Sequence, residues 1–339
     1  MAKKIKNIIE SLEVVDLPPV TQFLSTGCTI LDLAITDKLP GGFGAGRISH
    51  IFGPESTAKT VLAQEPLGAA QRMGGIAHFV DVEYTLDKER AHKLFGLSCN
   101  VGDENWEESH PKTIEELFDG SIELLLKGKD KDSIAAMSID SLSALPSEKE
   151  AEDALNVAGF GTTRARQLST AFRKYIRKIA VSNVAVIFID QTRKDIGSPF
   201  NAYTVSGGEA LKFYASTRVQ VSNRGKILNK HKMVIGVNIG FKVVKNKIGP
   251  PFREGIFRLI FDYGIDNVGT NIQWYTENST NCPKGSFLVP CANEIATVKG
   301  LGKAIKYVED NNLEEQVIEA VEKLWRVVYE QEERKPKER

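Results

Sequence analysis

Cysteine is scarce: Cys28, Cys99, Cys282 and Cys291 are the four in 339 residues, and no two of them form a CxxC pair. That scatter excludes a zinc site of the paired-thiolate kind and a disulfide-stapled secreted scaffold. It reads instead as reduced thiols inside a cell. Long apolar runs are lacking too. The longest, such as Val184 to Ile189, have the length of a strand, whereas a membrane span needs about 20 apolar residues. The basic start Met1-Ala2-Lys3-Lys4-Ile5-Lys6 runs into a polar stretch with no apolar signal-peptide core, so neither a secretory leader nor a membrane partner is expected. There is no net charge, because 44 Lys and Arg balance 44 Asp and Glu. Nucleic-acid binding therefore remains open only through a local basic surface. The five histidines form no cluster and read as structural or exposed. What is present is ordinary: 42% hydrophobic and 26% charged residues rule out a mainly disordered or fibrous chain. The length allows about two domains, or one large α/β domain with appendages.

Residues 3–13 carry apolar positions at Ile5, Ile8, Ile9 and Leu12, the spacing of a short amphipathic helix, and Asp16-Leu17-Pro18-Pro19 breaks it. Such a helix either folds onto its own domain or docks as an arm on a neighbouring subunit. From about residue 30, apolar strands alternate with helical stretches. The strands are expected at 47–52, 76–80, 134–139, 184–189, 219–222, 237–244 and 256–261, and the helices at 60–72, 88–95, 113–127 and 164–182. The pair Thr113 and Glu116 forms a capping-box signal. Alternation of this kind predicts a parallel sheet covered on both faces. The later strands lack intervening helices and predict an antiparallel extension at one edge. Residues 266–293 turn rich in Asn, Thr and Gly, and helices are expected at about 294–310 and 313–331, before a charged tail.

The chemistry concentrates at residues 47–60. An apolar strand runs into Gly53, the residues Pro54, Glu55, Ser56 and Thr57 follow, and Ala58-Lys59-Thr60 opens a helix. This is the order of a phosphate-binding loop, GxxxxGK[ST], with Ala58 in the place of its second glycine. Backbone N–H groups at a helix N-terminus wrap phosphates, a lysine neutralises the β/γ charge and a hydroxyl ligates Mg²⁺. If position 58 requires positive φ, alanine there costs on the order of 1–2 kcal/mol. Two strands end in acids that such a site needs: Asp140 after Ile139 for Mg²⁺, and Asp81 and Glu83 at the end of His78–Glu83 for a base that polarises water. Each acid, taken alone, also reads as a helix cap.

Several blocks now stand in one order: STGCTILDLAI, GRISHIFGPESTAKT, FVDVEYTLDKERAHKLFGL, IDSLSALPSEKEAE, RARQLSTAFRK, FIDQTRKDIG, SGGEALKFYASTR and KVVKNKIGPPF. In this series the chain resembles the RecA family of homologous-recombination proteins over roughly residues 22–265. The loosened loop and unusual ends resemble a diverged, phage-encoded member. The resemblance implies an α/β fold: a RecA-type P-loop ATPase core with a mostly parallel twisted sheet flanked by helices over 29–265. A short N-terminal oligomerisation arm over 1–28 and a small C-terminal α(+β) region over 266–339 complete it. It implies ATP and Mg²⁺ as ligands, held by Gly53 to Thr60 and Asp140, with Glu83 as general base. Gln191 would sense the γ-phosphate, and Lys245 and Lys247 would reach ATP on the neighbouring subunit. Asp87 matches a position near the adenine. Arg90 stands where an adenine-stacking tyrosine is usual, and Asp190 where Asn is usual. An extra carboxylate beside the nucleotide disfavours ATP unless it is paired.

Two polar, glycine-containing stretches, 146–166 and 192–208, read as irregular loops, and loops this long are usually functional or disordered. The family grips single-stranded DNA with the corresponding loops. Arg166, Arg173, Arg193 and Lys194 would supply phosphate charge, Ser169 a hydrogen bond and Phe200 a wedge between bases, while Gly207 and Gly208 let backbone approach closely. Taken alone, the arginines of 164–182 read as a solvated helix face. The expected function is an ATP-dependent recombinase that forms helical filaments on single-stranded DNA, captures duplex DNA and hydrolyses ATP when DNA is bound. The alternatives are an ATP-binding mediator with weak or no hydrolysis and a RecA-fold regulatory ATPase acting on protein. Single-strand-binding and loading proteins are further expected partners, in the cytoplasm of a bacterium or a phage-infected host.

Overall fold

Short apolar segments separated by amphipathic helices build a layered α/β molecule. The computed structural model describes residues 19–100, 102–129, 133–152, 160–194, 203–205, 208–280, 282–291 and 294–329; for 160–163, 193–194, 203–205 and 208 it describes the backbone alone. The expected N-terminal helix, Phe200 and Gly207 lie outside the described residues. The strands are β1 (Phe23–Leu24), β2 (Phe43–Gly44), β3 (Ile48–Gly53), β4 (Ile76–Asp81), β5 (Trp106–Ser109), β6 (Ala135–Asp140), β7 (Val184–Lys194), β8 (Tyr203–Val205), β9 (Thr217–Leu228), β10 (Val234–Asn246), β11 (Glu254–Ile260), β12 (Gly264–Asp266), β13 (Ser286–Pro290) and β14 (Ile295–Lys299). The helices are α1 (Thr29–Thr36), α2 (Lys59–Arg72), α3 (Lys88–Phe95), α4 (Glu123–Gly128), α5 (Glu148–Glu152), α6 (Phe160–Ala180), α7 (Gly208–Tyr214), α8 (Asn267–Asn278), α9 (Leu301–Asp310) and α10 (Glu314–Val328).

The main sheet has the order β12-β11-β10-β9-β3-β7-β6-β4-β5. It is parallel from β9 through β5 and antiparallel at β10, β11 and β12, as the spacing of the later strands predicts. Strands β3 and β6 are buried at every residue, which is the mark of parallel strands covered on both faces. Along β7 the faces alternate. Ile187 and Ile189 pack with Ile51 and Leu62 on the α2 side, whereas Val186 and Phe188 pack with Phe172 on the α6 side.

Several local expectations change. The helix expected over 113–127 opens as a π-helix, Glu116–Ile122, and continues as α4. Its capping hydrogen bonds form: Glu116 N–H donates to Thr113 Oγ1, and Glu116 Oε2 accepts from Lys112 N–H. Gly120 weakens the regular turn, and Asp119 is drawn onto α6 by Lys174 and Tyr175. Residues 295–299 are a strand rather than the start of a helix. Ile295-Ala296-Thr297-Val298 alternates in exposure with period two, and Gly300, at φ 86°, separates the strand from α9. The Asn- and Thr-rich stretch after 266 holds α8, capped by Asp266, which accepts from Gly269 N–H at 2.7 Å. The C-terminal helices are not remote from the sheet: Trp325 shares a core with Leu33, Phe241 and Phe257.

Pro66 stands inside α2. A proline there removes one helical hydrogen bond and crowds the carbonyl four residues earlier, at a cost of about 3 kcal/mol. Pro66→Ala is expected to raise the thermal midpoint by a few degrees, read by differential scanning calorimetry.

Where α1 meets α2, two carboxyls lie close together, Asp32 buried and Glu65 half-buried. Asp32 accepts from Ser25 Oγ, Thr26 N–H and Thr26 Oγ1 at 2.6–2.8 Å. Glu65 lies against Gly27, where an added Cβ would come within 2.5 Å of its carboxyl carbon. Burial pushes Asp32 up to about 6 and Glu65 up to about 7. Both bind protons more tightly folded than unfolded, so the stability linked to them is full below about pH 4 and is lost as pH rises through 6 and 7. For Glu65 the loss is on the order of 3 kcal/mol at one pKa unit per 1.36 kcal/mol. Glu65→Gln is expected to flatten the fall of the melting temperature between pH 5 and 8 and to raise it at pH 8.

Candidate nucleotide-binding site

The carboxyl ends of β3, β4, β6 and β7 lie side by side, the edge at which parallel α/β sheets bind ligands. At the end of β3, Gly53 is required by space: a Cβ would meet Val221 O at 2.3 Å. The loop Pro54 to Ala58 then takes two left-handed residues, Ser56 at φ 56° and Ala58 at φ 63°. Alternating backbone of this kind turns successive N–H groups inward and forms an anion-binding nest. The positive φ feared for Ala58 is therefore present. Ala58→Gly is expected to stabilise the fold by about 1–2 kcal/mol and to tighten nucleotide binding, both measurable by thermal melts with and without ATP.

Lys59, the first residue of α2, is buried and donates to Pro54 O at 2.7 Å; Thr57 Oγ1 donates to the same oxygen. Burial lowers the lysine pKa, while Asp140, Glu83, Glu55 and Asp190 oppose that shift. Thr60 Oγ1 donates to Asp140 Oδ2 at 2.7 Å across the gap between α2 and β6. Burial pushes Asp140 up to about 6, with the Thr60 hydrogen bond opposing. Glu83 is exposed, and its Oε1 accepts from Ser141 Oγ at 2.6 Å. Asp81 accepts from the N–H groups of Thr85 and Leu86 and so shapes the loop that carries Glu83. Asp87 caps α3 through Arg90 N–H, and Arg90 is exposed.

The hydroxyl–carboxylate pair Thr60–Asp140, open to solvent on the threonine side, fits a Mg²⁺ ion, which takes few protein ligands and keeps phosphate and water for the rest. The nest and Lys59 fit phosphate. Gln191 sits opposite Gly53 in the β3–β7 register and continues the α2 face of β7.

Asp190 differs from its expectation. It continues the opposite face, that of Phe188, and is fully buried with its Oδ2 3.1 Å from His50 Nε2. The carboxylate is therefore paired rather than set beside the nucleotide. Lys245 and Lys247 lie at the end of β10, two strands from β3. Lys245 Nζ donates to Lys212 O and Phe213 O at the C-terminus of α7, both at 2.7 Å, and burial with Lys247 and Arg218 nearby lowers its pKa to about 8. Lys247 is exposed. Among the described residues, no hydrogen bond or ion pair joins either lysine to Lys59, Glu83 or Asp140.

Among the described residues of the two polar stretches, 148–152 and 160–166 are helical and 192–194 and 203–205 are strand. Helix α6 begins at 160, so Arg166, Ser169 and Arg173 ride on a helix; Arg166 and Arg173 are exposed, and Leu168, Phe172 and Tyr175 fill the buried face. Arg193 and Lys194 belong to β7, paired with Thr204 and Tyr203 of β8. Gly208 opens α7. Residues that sequence reasoning missed are Ser141, whose place directly after Asp140 was the available signal, and His50 with Arg218, whose contact depends on strand order.

A sequence model of the RecA N-terminal domain matches residues 10–266. The chain belongs to the RecA family. A protein named RecA from Trichodesmium erythraeum is 37% identical over 289 residues, 85% of this chain and 76% of the relative. RecA of Acinetobacter baylyi is 34% identical over 299 residues, 88% and 81% of the two chains. RecA of Thermus thermophilus is 40% identical over 246 residues, 72% and 68%. With RecA membership come the α/β RecA-type fold and the recombinase reading of the blocks quoted above. Among the described residues, no helix is long and apolar enough to cross a membrane.

Proposed function

We propose that this RecA-family chain is a DNA-dependent ATPase that assembles into helical filaments on single-stranded DNA and exchanges strands with a homologous duplex. The observation that carries the reading is the convergence of the Ser56–Ala58 nest, Lys59 and the Thr60–Asp140 pair at one sheet edge, beside Glu83 and Gln191. In this reading the nest and Lys59 hold the phosphates of ATP. Mg²⁺, bound through Thr60 and Asp140, supplies charge neutralisation on those phosphates. Glu83, fixed by Ser141, takes the proton of the attacking water. Gln191 relays the state of the γ-phosphate along β7 to Arg193 and Lys194. Asp87 faces the adenine.

Lys245 and Lys247 act on ATP held by the neighbouring protomer. Lys245 must first leave the two α7 carbonyls that hold it. A contact of P-loop to β10 end is heterologous, so repetition yields an open helix. The stripe Arg166, Ser169 and Arg173, with Arg193, Lys194, Phe200, Gly207 and Gly208, meets the DNA. Contacts to phosphate give low sequence specificity and a steep fall of affinity with salt. Residues 1–28 serve oligomerisation, 29–265 catalysis and DNA binding, and 266–339 a C-terminal domain. The setting is the cytoplasm of a bacterium or a phage-infected host, with single-strand-binding and loading proteins as accessories.

The test is electron microscopy of the protein with single-stranded DNA and a slowly hydrolysed ATP analogue. Helical filaments that need both ligands support the reading. Closed rings indifferent to DNA would replace it with an ATPase acting on protein.

A further inference from the structure

One buried cluster is left unused by this mechanism. His50 on β3 and Asp190 on β7 are both fully buried, with Nε2 and Oδ2 3.1 Å apart. Arg218 on β9 pairs with His50 in the β3–β9 register, and its Nε donates to His50 Nδ1 at 3.2 Å. An imidazole nitrogen that accepts carries no proton, so the ring proton sits on Nε2, 3.1 Å from Asp190 Oδ2 but not aligned with it as a hydrogen bond. Burial lowers the His50 pKa, which agrees with a neutral ring. The negative charge of Asp190 is thus answered by Arg218 through a neutral histidine. Phe52 floors the cluster: its ring stacks on His50 at 5.0 Å, and the Arg218 guanidinium lies 4.5 Å above it. From α7, Lys212 acts on His50 and Glu209 on Arg218.

A buried ionic cluster is weak evidence for stability, because apolar residues of similar volume usually serve as well. Its place is more telling. Asp190 precedes Gln191, and His50 lies three residues before Gly53, the residue that faces Gln191 in the β3–β7 register. Arg218 is the register partner of Lys245 across β9 and β10. The cluster therefore spans three adjacent strands, β9, β3 and β7, and touches the neighbours of Gln191, assigned to the γ-phosphate, and of Lys245, assigned to the neighbouring protomer's ATP.

We propose that Asp190, His50 and Arg218 are positioning residues that fix Gln191 against the phosphate-binding loop and tie its position to Lys245. The proposal rests on the role given above to Gln191. It explains why this chain tolerates an acid at 190: the carboxylate serves Arg218 from the face away from the nucleotide.

The experiment compares wild type, Asp190→Asn and the double variant His50→Glu/Asp190→Asn, which returns a carboxylate to the position Arg218 already reaches. ATP hydrolysis with single-stranded DNA gives kcat and KM, and hydrogen exchange reads the backbone of β7 in the protein alone. Asp190→Asn is expected to lower kcat about 10- to 100-fold, the effect of misplacing a group by about 1 Å, with the KM for ATP shifted less than about twofold. The double variant is expected to recover most of the loss. Exchange is expected to quicken at Gln191 and Thr192 and not at Val184–Ile187. An unchanged kcat, a loss that the double variant does not repair, or exchange that rises along the whole of β7 would overturn the proposal. If the wild type hydrolyses no ATP with any DNA, the function proposed above fails, and exchange decides the cluster: a local rise repaired in the double variant supports it, and any other pattern overturns it.

Discussion

Lys59→Ala is expected to abolish nucleotide binding and to lower DNA-stimulated hydrolysis by about 10²–10³-fold or more, the scale seen when one preorganised charge-stabilising group is removed. Lys59 is the buried cation on which Asp140, Glu83, Glu55 and Asp190 all act. Without it Glu55, Glu83 and Asp140 stand uncompensated beside a polyanion, while Asp190 keeps its own partners His50 and Arg218. A fluorescent ATP analogue, titrated into variant and wild type, reads the binding loss directly, and an unchanged circular dichroism melt shows that the fold survives. Retained tight binding would mean that the backbone nest alone carries the phosphates and that the lysine belongs to the loop through Pro54.

The second large effect separates binding from chemistry. Glu83→Gln is expected to slow hydrolysis by about 10²–10⁴-fold, the usual contribution of a general base. ATP and DNA binding should stay intact, because glutamine still accepts from Ser141 Oγ where Glu83 Oε1 accepts now. DNA complexes should then persist after ATP addition, since the step that releases them is blocked. A rate close to wild type in single-turnover hydrolysis would move the base elsewhere on the β4–β6 edge, with Asp81 excluded by its two backbone hydrogen bonds.

How much of this was legible beforehand depended on range. The phosphate loop was legible because its chemistry dictates residue types at fixed spacing, and Lys59, Thr60 and Asp140 meet as that chemistry requires. The largely apolar strands β3, β6 and β7 were legible because no helix of such length suits their flanks. Helix α8 was not, since Asn and Thr mask its amphipathic face and its start depends on Asp266, which also pairs with Arg258 on β11. Strand β14 was absorbed into a helix because five residues of alternation are outweighed by the helical pattern after Gly300. The face occupied by Asp190 is a matter of parity: one residue of slip moves every side chain on a strand to the other side. Its partner His50 becomes a neighbour only because β3 inserts between β7 and β9. No local pattern carries that information.

The most direct measurement is the rate of ATP hydrolysis with and without single-stranded DNA, run beside Lys59→Ala. Strong stimulation by DNA that vanishes in the variant is the result expected of a recombinase whose nucleotide site is the one described. Hydrolysis indifferent to DNA, or none at all despite bound ATP, would contradict the account and leave a RecA-family fold put to another use.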